Sequence, residues 1–204
     1  MTFVLGLTGS IGMGKSTTAS LFRRRGIPVY DADQVVHALY RNEAIPLVDH
    51  LFPGVVREGI VDRVALGKIV FENPDALRQL EASIHPLVHR AETEFVIQAR
   101  DGAVPLIVLD IPLLLEKDRE GCCDAVIVVS TDFLEQRRRV LMRPDMTEDR
   151  FNRIREQQVP DDIKRKRAHV VIKTGRGVED ADRQVAAVIR MFSGLRGRNA
   201  TGGS

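Results

Sequence analysis

Leu5-Gly6-Leu7-Thr8-Gly9-Ser10-Ile11-Gly12-Met13-Gly14-Lys15-Ser16 holds the pattern G-x-x-x-x-G-K-[ST] from Gly9 to Ser16, directly after the apolar run Phe3-Val4-Leu5. A loop of this kind wraps a triphosphate. Its glycines leave backbone N–H groups free to point inward, Lys15 reaches the β- and γ-phosphates, and the Ser16 hydroxyl sits on Mg²⁺. The helix that follows turns its positive dipole end toward the anion. A strand before the motif and a helical pattern over Ser16–Arg24 after it supply the context the motif requires. The phosphate-cradle candidates are Gly9, Ile11, Gly12, Met13 and Gly14, with Lys15, Ser16 and Thr17 opening the helix.

Outward from the loop, apolar runs of strand length recur at Phe3–Leu7, Ile27–Tyr30, Leu106–Leu109, Ala125–Val129 and Val170–Ile172. They are Val/Ile/Leu-rich and do not alternate, as expected of strands buried on both faces of a parallel sheet. Strands alternating with helices predict a doubly wound α/β core that binds ligands beyond the carboxyl ends of its strands. Between Tyr30 and Leu106 no strand is predicted. Leu66, Ile69, Val70, Leu77, Leu80, Ile84, Leu87, Val88, Ala91 and Phe95 follow three- and four-residue steps there, punctuated by Pro53-Gly54, Asn73-Pro74 and Asp101-Gly102. The reading is a helical insertion. A second, charge-rich excursion covers roughly Arg137–Arg167, broken at Pro144-Asp145, with a helix start at Thr147-Glu148-Asp149. The glycine-rich tail from Gly194 is expected to fray.

The composition is that of an ordinary globular chain: 204 residues, 44% hydrophobic, 28% charged, net charge +2. Cys122 and Cys123 are adjacent and carry neither a disulfide framework nor metal-ligand spacing. No apolar run approaches the ~18 residues of a membrane span. The N-terminus runs straight into a strand rather than a leader, so the expectation is a cytoplasmic protein without a membrane partner.

Asp31 and Asp33 follow the second strand in Val29-Tyr30-Asp31-Ala32-Asp33. Two residues apart in an extended segment, their side chains point the same way, and at the carboxyl edge of the sheet carboxylates facing a γ-phosphate can orient an acceptor hydroxyl and take its proton. The competing reading makes one of them the cap of a helix beginning at Gln34. Asp110 ends Ile107-Val108-Leu109-Asp110, where an acid holds Mg²⁺ directly or through its water shell; a turn before Pro112 is the alternative. Arg139 and Arg143 are spaced to share a helical face and suit phosphate oxygens, or else form a solvated face pairing with Glu135 and Glu148. His85-Pro86, with His89 one turn on, lacks a third zinc ligand; a structural or substrate-contacting role is expected, with Pro86 kinking or starting its helix.

Taken together these segments resemble the dephospho-CoA kinases, from Phe3 to about Gly175. The resemblance rests on the loop just quoted, Asp31-Ala32-Asp33, Leu66-Gly67-Lys68-Ile69-Val70-Phe71 and Ile84-His85-Pro86-Leu87-Val88. It continues through Asp110-Ile111-Pro112-Leu113-Leu114-Leu115-Glu116 and Gln136 followed by Arg139 and Arg143. It implies a P-loop NTPase fold of the nucleoside-monophosphate-kinase type, with a five-stranded parallel sheet flanked by helices. The nucleotide core would comprise residues 1–37, 101–136 and 166–193, with a helical CoA-binding insertion at 38–100 and a lid at 137–165. It implies ATP as phosphoryl donor with Mg²⁺, and dephospho-CoA as acceptor at its ribose 3′-hydroxyl. By the same resemblance Asp33 is the general base, Lys15 and Ser16 with Mg²⁺ hold the β- and γ-phosphates, and Arg139 or Arg143 closes over them. Asp31, His85 and Pro86 fall to the acceptor side. A monomer is expected. Departures from the family pattern stand at Ser10, Met13, His169 and Lys173.

Three rivals remain. Another small-molecule or nucleoside-monophosphate kinase would share the fold. A GTPase switch would need N-K-x-D and D-x-x-G motifs that this sequence lacks. A nucleic-acid binder could use Arg137–Arg139 and Lys164-Arg165-Lys166-Arg167, but 5% aromatic residues and a charge of +2 provide little stacking surface or basic face.

Overall fold

Strand β1 (Phe3–Thr8) is buried along its whole length, because it is the middle strand of a sheet covered on both faces. In the computed structural model, which describes residues 1–197, it is followed by α1 (Lys15–Arg24), β2 (Val29–Asp31), α2 (Ala32–Leu39), α3 (Ile45–Leu51) and the short strands β3 (Val56–Arg57) and β4 (Ile60–Val61). Then come α4 (Arg63–Glu72), α5 (Pro74–Asp101), β5 (Leu106–Asp110), a 3₁₀ turn at Glu120–Cys122 and β6 (Ala125–Ser130). The chain continues through α6 (Phe133–Leu141), α7 (Glu148–Glu156), α8 (Asp161–Arg167), β7 (Val170–Lys173) and α9 (Val178–Phe192). Only the first residues of the tail expected from Gly194 lie within the described range; 198–204 lie outside it.

The main sheet is five-stranded in the order β2-β5-β1-β6-β7. β1 runs parallel to β5 with Leu7 opposite Asp110, and parallel to β6 with Leu7 opposite Ile127. Chain order reverses across β1, so the crevice beyond its carboxyl end is the topological switch point where such sheets take ligands. The five predicted strands are all present. β2 begins two residues later than predicted, because Pro28 has no N–H and the Ile27 amide bonds back to the Phe22 carbonyl at 3.1 Å.

Chain contacts divide the protein into two compact units: residues 1–30 with 98 onward, and Asp31–Ile97. In the first, α9 lays Ala181, Val185, Val188 and Phe192 on the sheet core with Leu5, Leu7, Phe22 and Ile127. That stripe repeats at three- and four-residue steps, and each buried Val or Phe contributes about 1.5–3 kcal/mol.

The second unit has its own core of Leu39, Val48, Phe52, Val55, Val61, Leu66, Leu80 and Ile84. Of the predicted stripe, Leu66, Leu80 and Ile84 are buried, but Ile69 and Leu77 stand 39% and 41% exposed. The region also contains strands the sequence did not announce: β3 and β4 pair antiparallel, Val56 opposite Val61. Two residues per strand are too few for alternation to register. α5 starts at Pro74, not Pro86, because Asn73 Oδ1 accepts from the amides of Asp75 and Ala76 and proline suits the first helical position. Pro86 lies inside the helix.

Candidate active site

The loop between β1 and α1 is held from several sides. Gln136 Nε2 donates to the Ile11 carbonyl at 2.8 Å, and the Ile11 amide donates to Gln158 Oε1 at 3.0 Å. The buried Thr174 hydroxyl donates to the Met13 carbonyl at 2.7 Å, and Thr8 Oγ1 donates to the Pro112 carbonyl at 2.9 Å. Gly12 has φ +77° and Gly14 φ +95°; a Cβ on Gly12 would stand 2.5 Å from Val140 Cγ2. The glycine is therefore required twice, by backbone sign and by the approach of α6. Beyond Gly14 the first-turn amides of α1 lack intrahelical acceptors and carry the positive end of the helix dipole.

Lys15 Nζ donates to Asp110 Oδ1 at 2.7 Å. Asp110 is 2% exposed, and Lys15 extends across the crevice from the start of α1 to the end of β5. Ser16 and Thr17 are exposed on the same turn.

Arg139 is fixed from α6. Its Nε donates to Glu135 Oε1 at 2.7 Å, Nη1 to Thr174 Oγ1 at 2.9 Å and Nη2 to the Thr174 carbonyl at 2.9 Å. The guanidinium of Arg138, and after it that of Arg139, holds the Glu135 carboxyl down at about 2. Arg143 does not share a helical face with Arg139. α6 ends at Leu141, because Pro144 disfavours helical backbone at Arg143. The two arginines nevertheless line one cavity of about 290 Å³ together with Gly12, Gly14, Thr17 and Thr174. Arg137 pairs with Glu148 and Arg138 with Glu135, so both belong to the paired, solvated face.

A wider cavity of about 1070 Å³ lies alongside α6 and α8 and touches the loop only at Ser10 and Met13. It mixes Asp132, Glu156, Asp161 and Asp162 with Arg155, Arg165, Lys173 and Arg176, so its charges balance, whereas the smaller cavity has two arginines and no carboxylate and suits a triphosphate better. The run Lys164–Arg167 is neutralised within the fold. Lys164 Nζ, fully buried, lies 2.6 Å from Glu116 Oε1 in an ion pair off the hydrogen-bond axis; Arg165 meets Asp161, Lys166 meets Asp162, and Arg167 meets Asp118 and Glu120. Glu116 Oε1 also accepts from the Val159 amide at 3.2 Å, tying the turn before α8 to the segment after β5.

In the second unit the extended-segment reading of Asp31 and Asp33 fails. Asp31 ends β2 with extended backbone and caps α2, its Oδ1 accepting from the Gln34 amide at 3.1 Å, while Asp33 lies in the helix's first turn. The two carboxylates are therefore set by helical geometry and not by alternation. Asp33 lines a groove of about 890 Å³ along α2, with His37, Arg41 and Arg63. His85 and Pro86 are exposed on α5.

Gln158 and Thr174 were not singled out by the sequence. Thr174 had a usable signal, a polar residue just past the carboxyl end of a strand, the same rule that marks Asp110. Gln158 had none, being a polar residue in a polar stretch.

A parallel sheet with the glycine loop at its switch point, Lys15 seated on a strand-end aspartate, and arginines lining the adjoining cavity define a P-loop kinase, an ATP-dependent phosphotransferase. The family model described as dephospho-CoA kinase matches residues 3–180. The dephospho-CoA kinase of Agrobacterium fabrum is 50% identical over 190 residues, covering 93% of this chain and 98% of that protein. Among solved structures, a Thermus thermophilus protein is 37% identical with a TM-score of 0.81, covering 95% of this chain and 99% of that one. The dephospho-CoA kinase from Campylobacter jejuni is 25% identical with a TM-score of 0.65, covering 93% of this chain and 96% of its own. The chain belongs to the dephospho-CoA kinase family.

Proposed function

We propose that this protein transfers the γ-phosphoryl group of ATP to the ribose 3′-hydroxyl of dephospho-CoA, giving CoA and ADP, the last step of coenzyme A synthesis. The observation that carries the reading is the Lys15–Asp110 contact beside the glycine loop, in a chain matched to this family over residues 3–180.

The loop amides and Lys15 bind the β- and γ-phosphates, and Arg139 and Arg143 neutralise the charge that spreads over the transferring group. Asp33 accepts the proton of the 3′-hydroxyl as that oxygen bonds to the γ-phosphorus and the bond to the β-phosphate oxygen breaks. Lys15 would turn from Asp110 to the phosphates when the nucleotide binds, freeing that carboxylate. Ser16 and Asp110 are the residues that would hold Mg²⁺. Their oxygen donors suit a hard cation that takes one or two protein ligands and completes its shell with phosphate and water. When bound there, Mg²⁺ would supply neutralisation of the charge on the transferring phosphates. Residues 137–165 act as a lid, bringing Arg139 and Arg143 over the nucleotide and excluding water. Asp31 and the exposed His85 and Pro86 belong to the acceptor side, Asp31 by capping the helix that bears Asp33. The pairing of Lys164–Arg167 with carboxylates supports a role for that run within the fold and not on nucleic acid. No described helix is long and apolar enough to cross a membrane.

The test is ADP release with Mg-ATP and dephospho-CoA, AMP, adenosine or no acceptor. Release that requires dephospho-CoA supports the reading; equal release with another acceptor transfers the assignment to a different kinase on this fold.

A further inference from the structure

The second unit contains five arginines, and three of them face carboxylates: Arg57 with Asp62, Arg78 with Asp75, and Arg90 with Glu43. Arg41 and Arg63 form no ion pair among the described residues, and both line the groove that contains Asp33. Two guanidinium groups without an ion-pair partner among those residues, against the single carboxylate of Asp33, leave the groove net cationic and suited to an anion.

The local geometry narrows the anion. Asp33 and His37 are one turn apart on α2, and Arg41 follows its C-cap Tyr40. At 1.5 Å per residue, His37 lies about 6 Å and Arg41 about 12 Å along the axis from Asp33. Arg63 enters from the first turn of α4, and its Nη1 lies 2.8 Å from His37 Nδ1. Arginine always carries its protons, so Nδ1 is the acceptor in this contact and the ring's hydrogen sits on Nε2. His37 thus fixes one edge of the Arg63 fork and leaves the other N–H groups for a ligand. The groove presents one carboxylate at one end and cationic donors one to two turns away. An acceptor that fits has a hydroxyl to be deprotonated and, a short span along the same molecule, a multiply charged phosphate group.

We propose that His37, Arg41 and Arg63 form the subsite for the diphosphate of the acceptor, which registers the ribose so that its 3′-hydroxyl meets Asp33. This inference rests on dephospho-CoA being the acceptor, since its diphosphate is attached to the ribose that is phosphorylated. Arg63 grips the diphosphate through two parallel N–H donors, Arg41 neutralises the far phosphate, and His37 acts as a positioning residue through Arg63.

The test uses the full chain with the glycine loop filled by ADP, so that phosphate binding there does not contribute. Dephospho-CoA is titrated calorimetrically into the parent, Arg63→Ala, Arg63→Lys and the Arg41→Ala/Arg63→Ala double variant, each checked for fold by circular dichroism. The expected result is a dephospho-CoA Kd weakened on the order of tenfold to a hundredfold in Arg63→Ala. The double variant weakens further, Arg63→Lys falls between because it keeps charge but loses the fork, and ADP affinity holds within twofold throughout. In turnover, the KM for dephospho-CoA rises in parallel while that for ATP does not. An unchanged dephospho-CoA Kd in the folded double variant, with the parent turning dephospho-CoA over, overturns the subsite and leaves the function standing. Binding that depends on both arginines in a parent that transfers no phosphoryl group supports the subsite and overturns the function.

Discussion

Lys15 Nζ sits 2.7 Å from Asp110 Oδ1, joining the first turn of α1 to the last residue of β5. Strand register produces this contact, because Asp110 lies opposite Leu7, two residues before the loop begins. With Asp110 2% exposed, the pair survives because each partner compensates the other's burial. In the proposed mechanism, phosphate would exchange one anion for another beside the same ammonium group.

Lys15→Ala is expected to weaken nucleotide binding and turnover together, by about 10²–10³-fold in kcat/KM for ATP, as when one preorganised donor is removed from a charged transition state. Steady-state kinetics and nucleotide titration check it; turnover within threefold of the parent would contradict the loop assignment.

Asp33→Asn keeps the first-turn position and the shape but not the proton acceptor. Nucleotide affinity should hold while kcat falls about 10²–10⁴-fold. Because Asp31 is engaged as the cap of α2, Asp31→Asn should retain most of the turnover, asparagine being an equally good cap. The reverse ranking of the two variants would move the base to Asp31.

Much of this was legible in the sequence, for a physical reason. The glycine loop is a local device, readable because backbone sign and phosphate approach leave few residue choices. Buried parallel strands read as unbroken apolar runs, and all five were found that way. What depended on distant chain was not legible. Nothing near Gln158 says that its amide meets Ile11, 147 positions away in the sequence. Nothing near Lys164 says that its ammonium is buried against Glu116. Asp31 was ambiguous because an aspartate after a strand serves a cap and a phosphate site equally well, and only the turn taken at Ala32 separates the two. β3 and β4 were missed because their pairing, not their composition, makes them strands.

Two glycine substitutions separate backbone requirement from helix propensity. Gly12→Ala should destabilise the protein by about 1–3 kcal/mol, since φ is +77° and the added methyl meets Val140 and the Gln136 carbonyl. Gly67→Ala, within α4 and with open space around the new methyl, should stabilise by about 0.5–1 kcal/mol. Urea melts of both variants report the two signs; a neutral Gly12→Ala would contradict the packing of α6 on the loop.

Acid should loosen the α6 arginines. The Glu135 carboxyl titrates at about 2 in the folded protein against an ordinary value of 4.5. A depressed carboxylate contributes stability above its unfolded value and loses that contribution as pH falls through the folded one. The affected window therefore runs from about pH 4.5 down to about 2. Thermal melts across it should fall less steeply for Glu135→Gln than for the parent; identical slopes would show that the Arg138 and Arg139 contacts carry no linkage.

The most direct measurement follows the phosphorus itself. With ATP and dephospho-CoA as the only phosphate donors and acceptors, phosphorus NMR of the product mixture should show one new phosphomonoester on the ribose 3′-oxygen, formed in step with ADP and abolished by Asp33→Asn. ADP accumulating with inorganic phosphate and no 3′-phosphomonoester would contradict the account.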